Sequence, residues 1–354
     1  MSTLPSILGW SLFRPSTSAN GGNARSEQIA ELVKEAGFSY DVIDRESPHY
    51  PASDRVRGLI EKTIHGERWP ALSASLLGFY RALLDQKLSA HTGPRVLLCE
   101  DTALPVPLWY ARRLGFKTIA LPHNVEALIG ASSDVKNLAA EHAALKQADA
   151  VFCISDEDAW LWSNLGLDVQ VLPYFPLGER RRRLAALASS RSSPPAANAP
   201  WLLLGTAHHP PTREGMRTVL NWLKPTLETG LTIVVAGHGT ADLDCGNLPG
   251  VTLAGSLSDG ELDALLLRVR GLIVHQDRGT GALTRIPEAV TAGLPVLASR
   301  IAARSTSLLP GVVRYETAAD LLALIYATPS RPGTVPNGGS LEFIARLQAY
   351  ARAC

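Results

Sequence analysis

The 354-residue sequence has no excess of either charge: 34 Lys and Arg stand against 33 Asp and Glu, giving a formal net charge of +1. Without a field of one sign the chain has no long-range attraction for nucleic acid or for a broadly acidic surface, so any anion site must be local. Cysteine is scarce. Cys99, Cys153, Cys245 and Cys354 lie without metal-type spacing, and the first two sit in apolar runs where a thiol acts as a small hydrophobe. A disulfide-free protein of a reducing compartment is expected. No apolar run approaches the ~18 residues of a spanning helix. The opening MSTLPSILGWSLFRPS lacks a basic segment followed by a long apolar core, so a cytoplasmic protein is expected, neither exported nor inserted. No repeat of solenoid period is visible.

What is present is enough apolar residue, 46% of the chain, to bury a large core, over a length that suggests two domains. Short apolar runs alternate with longer helical stretches, the pattern of a parallel sheet with crossover helices, so the fold class is α/β throughout. In the first half, strands are expected at 6–13, 39–44, 95–100, 117–121, 150–154 and 168–172, with a helical hairpin within 53–89. In the second half they are expected at 201–205, 231–236, 251–254, 271–275, 294–298 and 311–314. Ser155 and the SDGE of 258–261 read as helix N-caps.

Between the halves, PLGERRRRLAALASSRSSPPAANAP has hardly a large apolar residue and reads as a linker. The expected division is an N-terminal Rossmann-like domain over 1–175, a linker over 176–200, a second Rossmann-like domain over 201–335, and a helix over 336–354. That last helix carries an apolar face of Leu341, Ile344, Leu347 and Tyr350 that needs a surface, with the first domain as the candidate. Doubly wound sheets bind ligands outside the carboxyl ends of their strands, so function is sought in the loops that follow them.

The stretch HQDRGTGALTRIPEAVTAGLPVLAS, 275–299, has Gly279 and Gly281 in a turn that feeds a helix starting near 284–288. Glycines there let main-chain amides approach an anion, and Arg285 adds a bidentate donor. Glu288, one helical step later, suits sugar hydroxyls. A diphosphate cradle is one reading and a solvated turn is the other; spacing alone leaves both open.

Several segments together resemble the glycosyltransferases of family 4, which have the GT-B fold. GTGALTRIPEAVTAGLPVLAS is similar to their C-terminal signature, LPHNVEAL at 121–128 to their His-Asn-Val-Glu segment, and VFCISDEDA with VQVLPYFP to the end of their first domain. GTAHHPPTREGM at 205–216 and SANGGNARS at 18–26 resemble the first loops of their two domains. The resemblance implies a retaining, metal-independent transfer from a nucleoside diphosphate sugar to a hydroxyl of a glycan, a lipid-linked or a small-molecule acceptor. No cofactor is implied beyond that donor substrate. On this analogy Glu288 binds the donor ribose, Arg285 with the amides of Gly279, Thr280 and Gly281 holds the diphosphate, and Gly205 lets its loop approach. Gly21 and Gly22 flank the leaving group from the first domain, His123 faces the reacting sugar, and Asn124 lies on the acceptor side.

Two residues depart from the family pattern. Thr280 stands where many members have the first Glu of a pair, and Glu214 stands where a basic residue is common, with Arg213 as its substitute. They motivate a rival reading, a catalytically inactive relative kept as a binding or scaffold subunit. An epimerase on the same fold lacks a second acid/base set. DED at 156–158 is explained as acids in a first helical turn. His208, His209 and His238 have no nearby acid for a metal site. The arginine run Arg180 to Arg183 reads as a solvated face, with weak peripheral contact with the inner face of a membrane as the alternative.

Overall fold

The computed structural model describes residues 4–11, 13, 21–43, 52–65, 74–103, 106–129, 135–191, 196, 198–327 and 332–353. Residues 18–20 of the SANGG segment, 192–195 and 197 of the expected linker, and Cys354 lie outside them. The first half runs β1 (Ser6–Trp10), α1 (Gly21–Glu35), β2 (Ser39–Val42), α2 (Ala52–His65), α3 (Ala74–Ser89), β3 (Val96–Cys99), α4 (Val106–Arg113), β4 (Lys117–Ala120), α5 (Val135–Leu145), β5 (Ala150–Cys153), α6 (Asp156–Asn164) and β6 (Val169–Val171). The second runs α7 (Gly178–Ser190), β7 (Trp201–Leu204), α8 (Pro210–Leu227), β8 (Ile233–Ala236), β9 (Val251–Gly255), α9 (Asp259–Arg268), β10 (Gly271–Val274), α10 (Arg285–Thr291), β11 (Val296–Ser299), β12 (Val312–Tyr315), α11 (Ala318–Tyr326) and α12 (Ser340–Ala353).

Every expected apolar run holds a strand, and the strands form two six-stranded sheets of parallel pairs. The central strands are apolar end to end, VLLC in β3 and GLIV in β10, because helices cover both faces and no position is left for water. In the first sheet the order is β2-β1-β3-β4-β5-β6, and in the second β12-β11-β10-β7-β8-β9. The order reverses between β1 and β3 and between β7 and β10, and crevices for ligands open at such switch points.

Among the described residues, those of 4–13, 25–173 and 338–353 form one compact unit, and those of 174–337 with 21–24 form the other. Trp10, Leu97, Cys99, Leu108 and Trp162 belong to the first core. In the second unit, Leu202, Val274, Ile286 and Leu294 fill one apolar cluster, while Trp201, Leu203, Leu220 and Ile273 fill another. Ser155 accepts the amide of Asp158 at 3.0 Å, and Ser258 forms a reciprocal capping box with Glu261, so two helix starts follow their sequence signals.

Two expectations need correction. The span 176–200 is not an open linker: residues 178–190 form α7, with Leu184 and Leu187 buried in the second core. Its arginines are a solvated face only in part: Arg181 and Arg182 are exposed, whereas Arg180 is buried and Arg183 half-buried. Arg180 pairs with Glu288, Arg183 with Asp259 and Asp263, and Arg182 with Glu179. Composition hides this helix because most of the neutralising acids come from distant segments. In α12 the buried face is Phe343 and Leu347, with Phe343 edge-on to Phe152 at 5.5 Å, while Leu341 is 81% exposed. Gln348 and Tyr350 donate to the carbonyls of Ala36 and Asp149, which fixes the helix on the first unit.

Candidate functional site

In the second unit, the segment between β10 and α10 is shaped by an arginine that lies outside the glycine-loop motif. Arg304, nearly buried beyond β11, donates to the carbonyls of Thr280 (2.7 Å), Gly281 (2.6 Å) and Ile301 (2.5 Å), and to Oε1 of Gln276 (3.2 Å). A planar peptide puts its C=O and the following N–H on opposite sides. With the carbonyls of Thr280 and Gly281 turned onto Arg304, the amides of Gly281 and Ala282 point the other way. The loop is clamped at its start as well, since the Ser299 hydroxyl accepts the Gln276 amide (3.1 Å) and donates to its carbonyl (2.9 Å). At Gly279 φ is +140°, and a Cβ would stand 3.2 Å from both Arg304 and Gln276, so only glycine suits the position.

Arg285 opens α10. A Cβ on Gly205, at the end of β7, would lie 3.0 Å from its Nη1, so the absence of a side chain there lets the guanidinium reach across the switch point. Its Nε is fully buried and has no hydrogen-bond partner among the described residues. Burial, reinforced by the charge of Arg304, pulls the Arg285 pKa down to about 10, which still leaves a cation at neutral pH. The residue as a whole is half-buried, and a cation whose inner nitrogen is buried with no acid paired to it among the described residues favours binding of an anion. The cavity of about 10 Å³ that Arg285 lines with Thr212 and His275 is water-sized, so a nucleotide would have to bind outside it.

His209 reports the local field. Burial and then the charges of Arg285, Arg304 and Arg278 hold its pKa below the ordinary range, so it is neutral at pH 7. The first turn of α8 adds few amides: Pro210 and Pro211 have no N–H, and the amides of Thr212 and Arg213 both reach the His209 carbonyl at 3.1 Å. Arg213 lies exposed on that turn. Its neighbour Glu214 receives Arg278 Nη2 at 3.0 Å on each carboxylate oxygen, so the acid at the departing position holds a cation beside the glycine loop.

Glu288 is fixed by partners that the motif does not reveal. Its Oε1 accepts from the Tyr174 hydroxyl at 2.7 Å and Arg180 at 3.2 Å. These two donors converge on one oxygen and orient the carboxylate.

In the first unit, the candidate His123 follows β4 and meets Glu100, which follows β3. Nε2 of His123 lies 3.0 Å from Glu100 Oε2, and its ring stacks on Phe13 at 5.3 Å. Ser26 donates to the same carboxylate at 2.5 Å and Tyr40 to its other oxygen at 2.8 Å. Burial, and next the charge of Glu100, push the Tyr40 phenol well above its ordinary range, so it remains a donor. Glu100 is buried, and sequence alone does not single it out, because an acid ending a strand has no spacing signature.

The loop bearing His123 is anchored from beneath by Glu141, which accepts the amides of Glu126 (3.2 Å) and Ala127 (3.1 Å). Asn124 donates to Glu126 at 3.2 Å, a local bond within its own loop. Gly21 and Gly22 form the first turn of α1.

Comparison with family profiles gives no match, and neither does comparison with curated proteins. Solved structures do match. Sucrose-phosphate synthase from Thermosynechococcus elongatus aligns with a TM-score of 0.60 at 16% identity, over 98% of this chain and 91% of that one. A UDP-forming α,α-trehalose-phosphate synthase from Burkholderia xenovorans gives 0.62 at 10% identity, over 99% and 96%. The Anabaena protein HepE, solved in complex with UDP and glucose, gives 0.55 at 11% identity, over 99% and 94%. With its two parallel six-stranded sheets, the chain has the GT-B fold.

Proposed function

We propose that this chain is a retaining glycosyltransferase, related to family 4, that moves a sugar from a nucleoside diphosphate donor to a hydroxyl acceptor. The observation that carries the reading is Arg285: a half-buried cation at the switch point of the second sheet, its Nε buried and unpartnered among the described residues, beside a glycine loop whose carbonyls are drawn to Arg304. Breaking the anomeric C–O bond puts negative charge on the departing diphosphate. Preorganised donors aimed at such charge are each worth roughly 3 kcal/mol in the transition state. In this proposal Arg285 and the loop amides take that role without a divalent metal, and no cofactor is required besides the donor.

The new bond forms between the acceptor oxygen and the anomeric carbon on the face the diphosphate leaves, and a phosphate oxygen of the leaving group takes the acceptor's proton. Glu288 accepts the ribose hydroxyls. Gly205 leaves room for the diphosphate, and Gly21 and Gly22 serve it from the first half of the chain. His123, steered by Glu100, contacts the transferred sugar, with Asn124 toward the acceptor. The acceptor is a glycan, a lipid-linked or a small-molecule hydroxyl, and the site of action is cytoplasmic. Structures named for UDP-forming synthesis and for bound UDP and glucose share the fold, which supports a nucleotide-sugar donor.

The purified protein should release nucleoside diphosphate from one of the UDP-, GDP- or dTDP-sugars, with the product keeping the donor's anomeric configuration. Binding with no turnover on any of them would favour the rival scaffold reading, to which Thr280 and the ion-paired Glu214 lend their departures from the family pattern.

A further inference from the structure

Helix α2 has an unusual distribution of charge. Its two acids, Asp54 and Glu61, are buried, with Glu61 paired to Arg81 of α3, and Gly58 is buried between them in sequence. At Gly78 of α3 a Cβ would fall 1.6 Å from the Asp54 carbonyl oxygen, so the two helices meet backbone to backbone on this side. At about 100° per residue, the opposite face carries Val56, Leu59, Ile60 and Ile64 across an arc of about 140°. All four are at least half exposed, at 57%, 52%, 50% and 64%. Thr63, within the same arc, donates its hydroxyl to the Leu59 carbonyl at 2.8 Å.

Cations border this arc on both sides, Arg55 and Lys62 along one edge and Arg57 along the other. With both acids turned inward, the side chains α2 presents to water are aliphatic, basic or small. Ordinary folding explains the buried face; it gives no reason for an aliphatic stripe outside.

We infer that α2 is an interfacial helix that lays the first unit on an anionic lipid surface, its aliphatic stripe entering the headgroup boundary and its bordering cations meeting lipid phosphates. Charge complementarity selects this occupant. A second copy would set the same cations against each other. A peptide needs a groove, whereas this face is the convex side of a helix. The inference rests on α2 and α3 alone, so it stands or falls separately from the proposed activity.

The test is co-sedimentation of the full chain with vesicles of phosphatidylcholine alone or with one third phosphatidylglycerol. The bound fraction should rise at least about tenfold on the anionic vesicles and fall with added salt. Two triple variants, Leu59→Ser with Ile60→Ser and Ile64→Ser, and Arg55→Gln with Arg57→Gln and Lys62→Gln, should each lose about tenfold in binding while keeping the wild-type circular dichroism spectrum. A wild-type chain that ignores both vesicle types overturns the inference, as do folded variants that pellet like wild type. It is also overturned if vesicles are ignored while a dimer, or capture of an acidic amphipathic peptide, depends on Leu59, Ile60 and Ile64.

Discussion

Glu100 Oε2 lies 3.0 Å from Nε2 of His123, and Glu100 follows β3, at the point where the first sheet reverses its strand order. A carboxylate at Nε2 makes that nitrogen the donor and leaves Nδ1 as the ring nitrogen not committed to Glu100. The role of His123 thus depends on a residue that touches it rather than on its motif alone.

Replacing His123 by Ala should depress turnover about tenfold or more while nucleoside diphosphate affinity stays within about twofold, measured by steady-state kinetics and calorimetry. Glu100→Gln should show the same split in weaker form, together with a stability loss of about 1–3 kcal/mol, because an amide cannot accept all three donors that now converge on the carboxylate. Equal losses in affinity and turnover would remove both residues from the reacting end.

Arg304→Met should weaken nucleoside diphosphate binding about tenfold, although the role assigned to Arg304 is to orient the loop and not to touch the ligand. The carbonyls of Thr280 and Gly281 would lose their common donor and the amides their fixed direction. Calorimetry with UDP, GDP and dTDP on a variant verified as folded reads this out, and unchanged affinity would show that the loop holds its shape unaided.

Tyr174→Phe should weaken donor binding a few-fold, less than Glu288→Ala, since the carboxylate would keep Arg180 and lose only the hydroxyl that donates at 2.7 Å. If the tyrosine variant instead loses more than the glutamate variant, Tyr174 itself contacts the ligand and the assignment of Glu288 is wrong.

Burial raises the Glu141 pKa from 4.5 to about 7. The folded state therefore binds more protons than the unfolded state between those two values, so this group's contribution to stability falls as pH rises through that window and is constant above it. The total is up to about 3 kcal/mol, at 1.36 kcal/mol per pKa unit. Glu141→Gln should remove this dependence. Urea unfolding at pH 5 and pH 8 should show wild type losing stability relative to the variant as pH rises, and a pH-independent difference would contradict the shift.

The twelve strands are legible in the sequence because buried parallel strands leave uninterrupted apolar runs, and the helix starts at Ser155 and Ser258 are legible because capping is a local bond. What sequence hides is non-local. Ser26 meets Glu100 across 74 residues, and Arg304 meets Thr280 across 24, with no spacing rule to connect either pair. The α7 segment reads as a linker because an arginine-rich stretch looks solvated until Glu288, Asp259 and Asp263 are brought to it by the fold. In α12 period alone favours the stripe Leu341, Ile344, Leu347 and Tyr350, whereas packing against Phe152 selects Phe343. The candidate residues Arg285, Gly205 and the glycines of the loop do gather at one switch point, since motifs that follow parallel strands are carried to the same edge of a sheet.

The most direct test of the central claim is the thermal shift of wild type and of Arg285→Ala with UDP, GDP and dTDP. A ligand that binds only the folded state raises its stability with occupancy. At least one nucleoside diphosphate should raise the wild-type melting temperature, and the same concentration should raise that of the folded variant by less than half as much. No shift with any of the three, or equal shifts in both proteins, would contradict the placement of the diphosphate at Arg285.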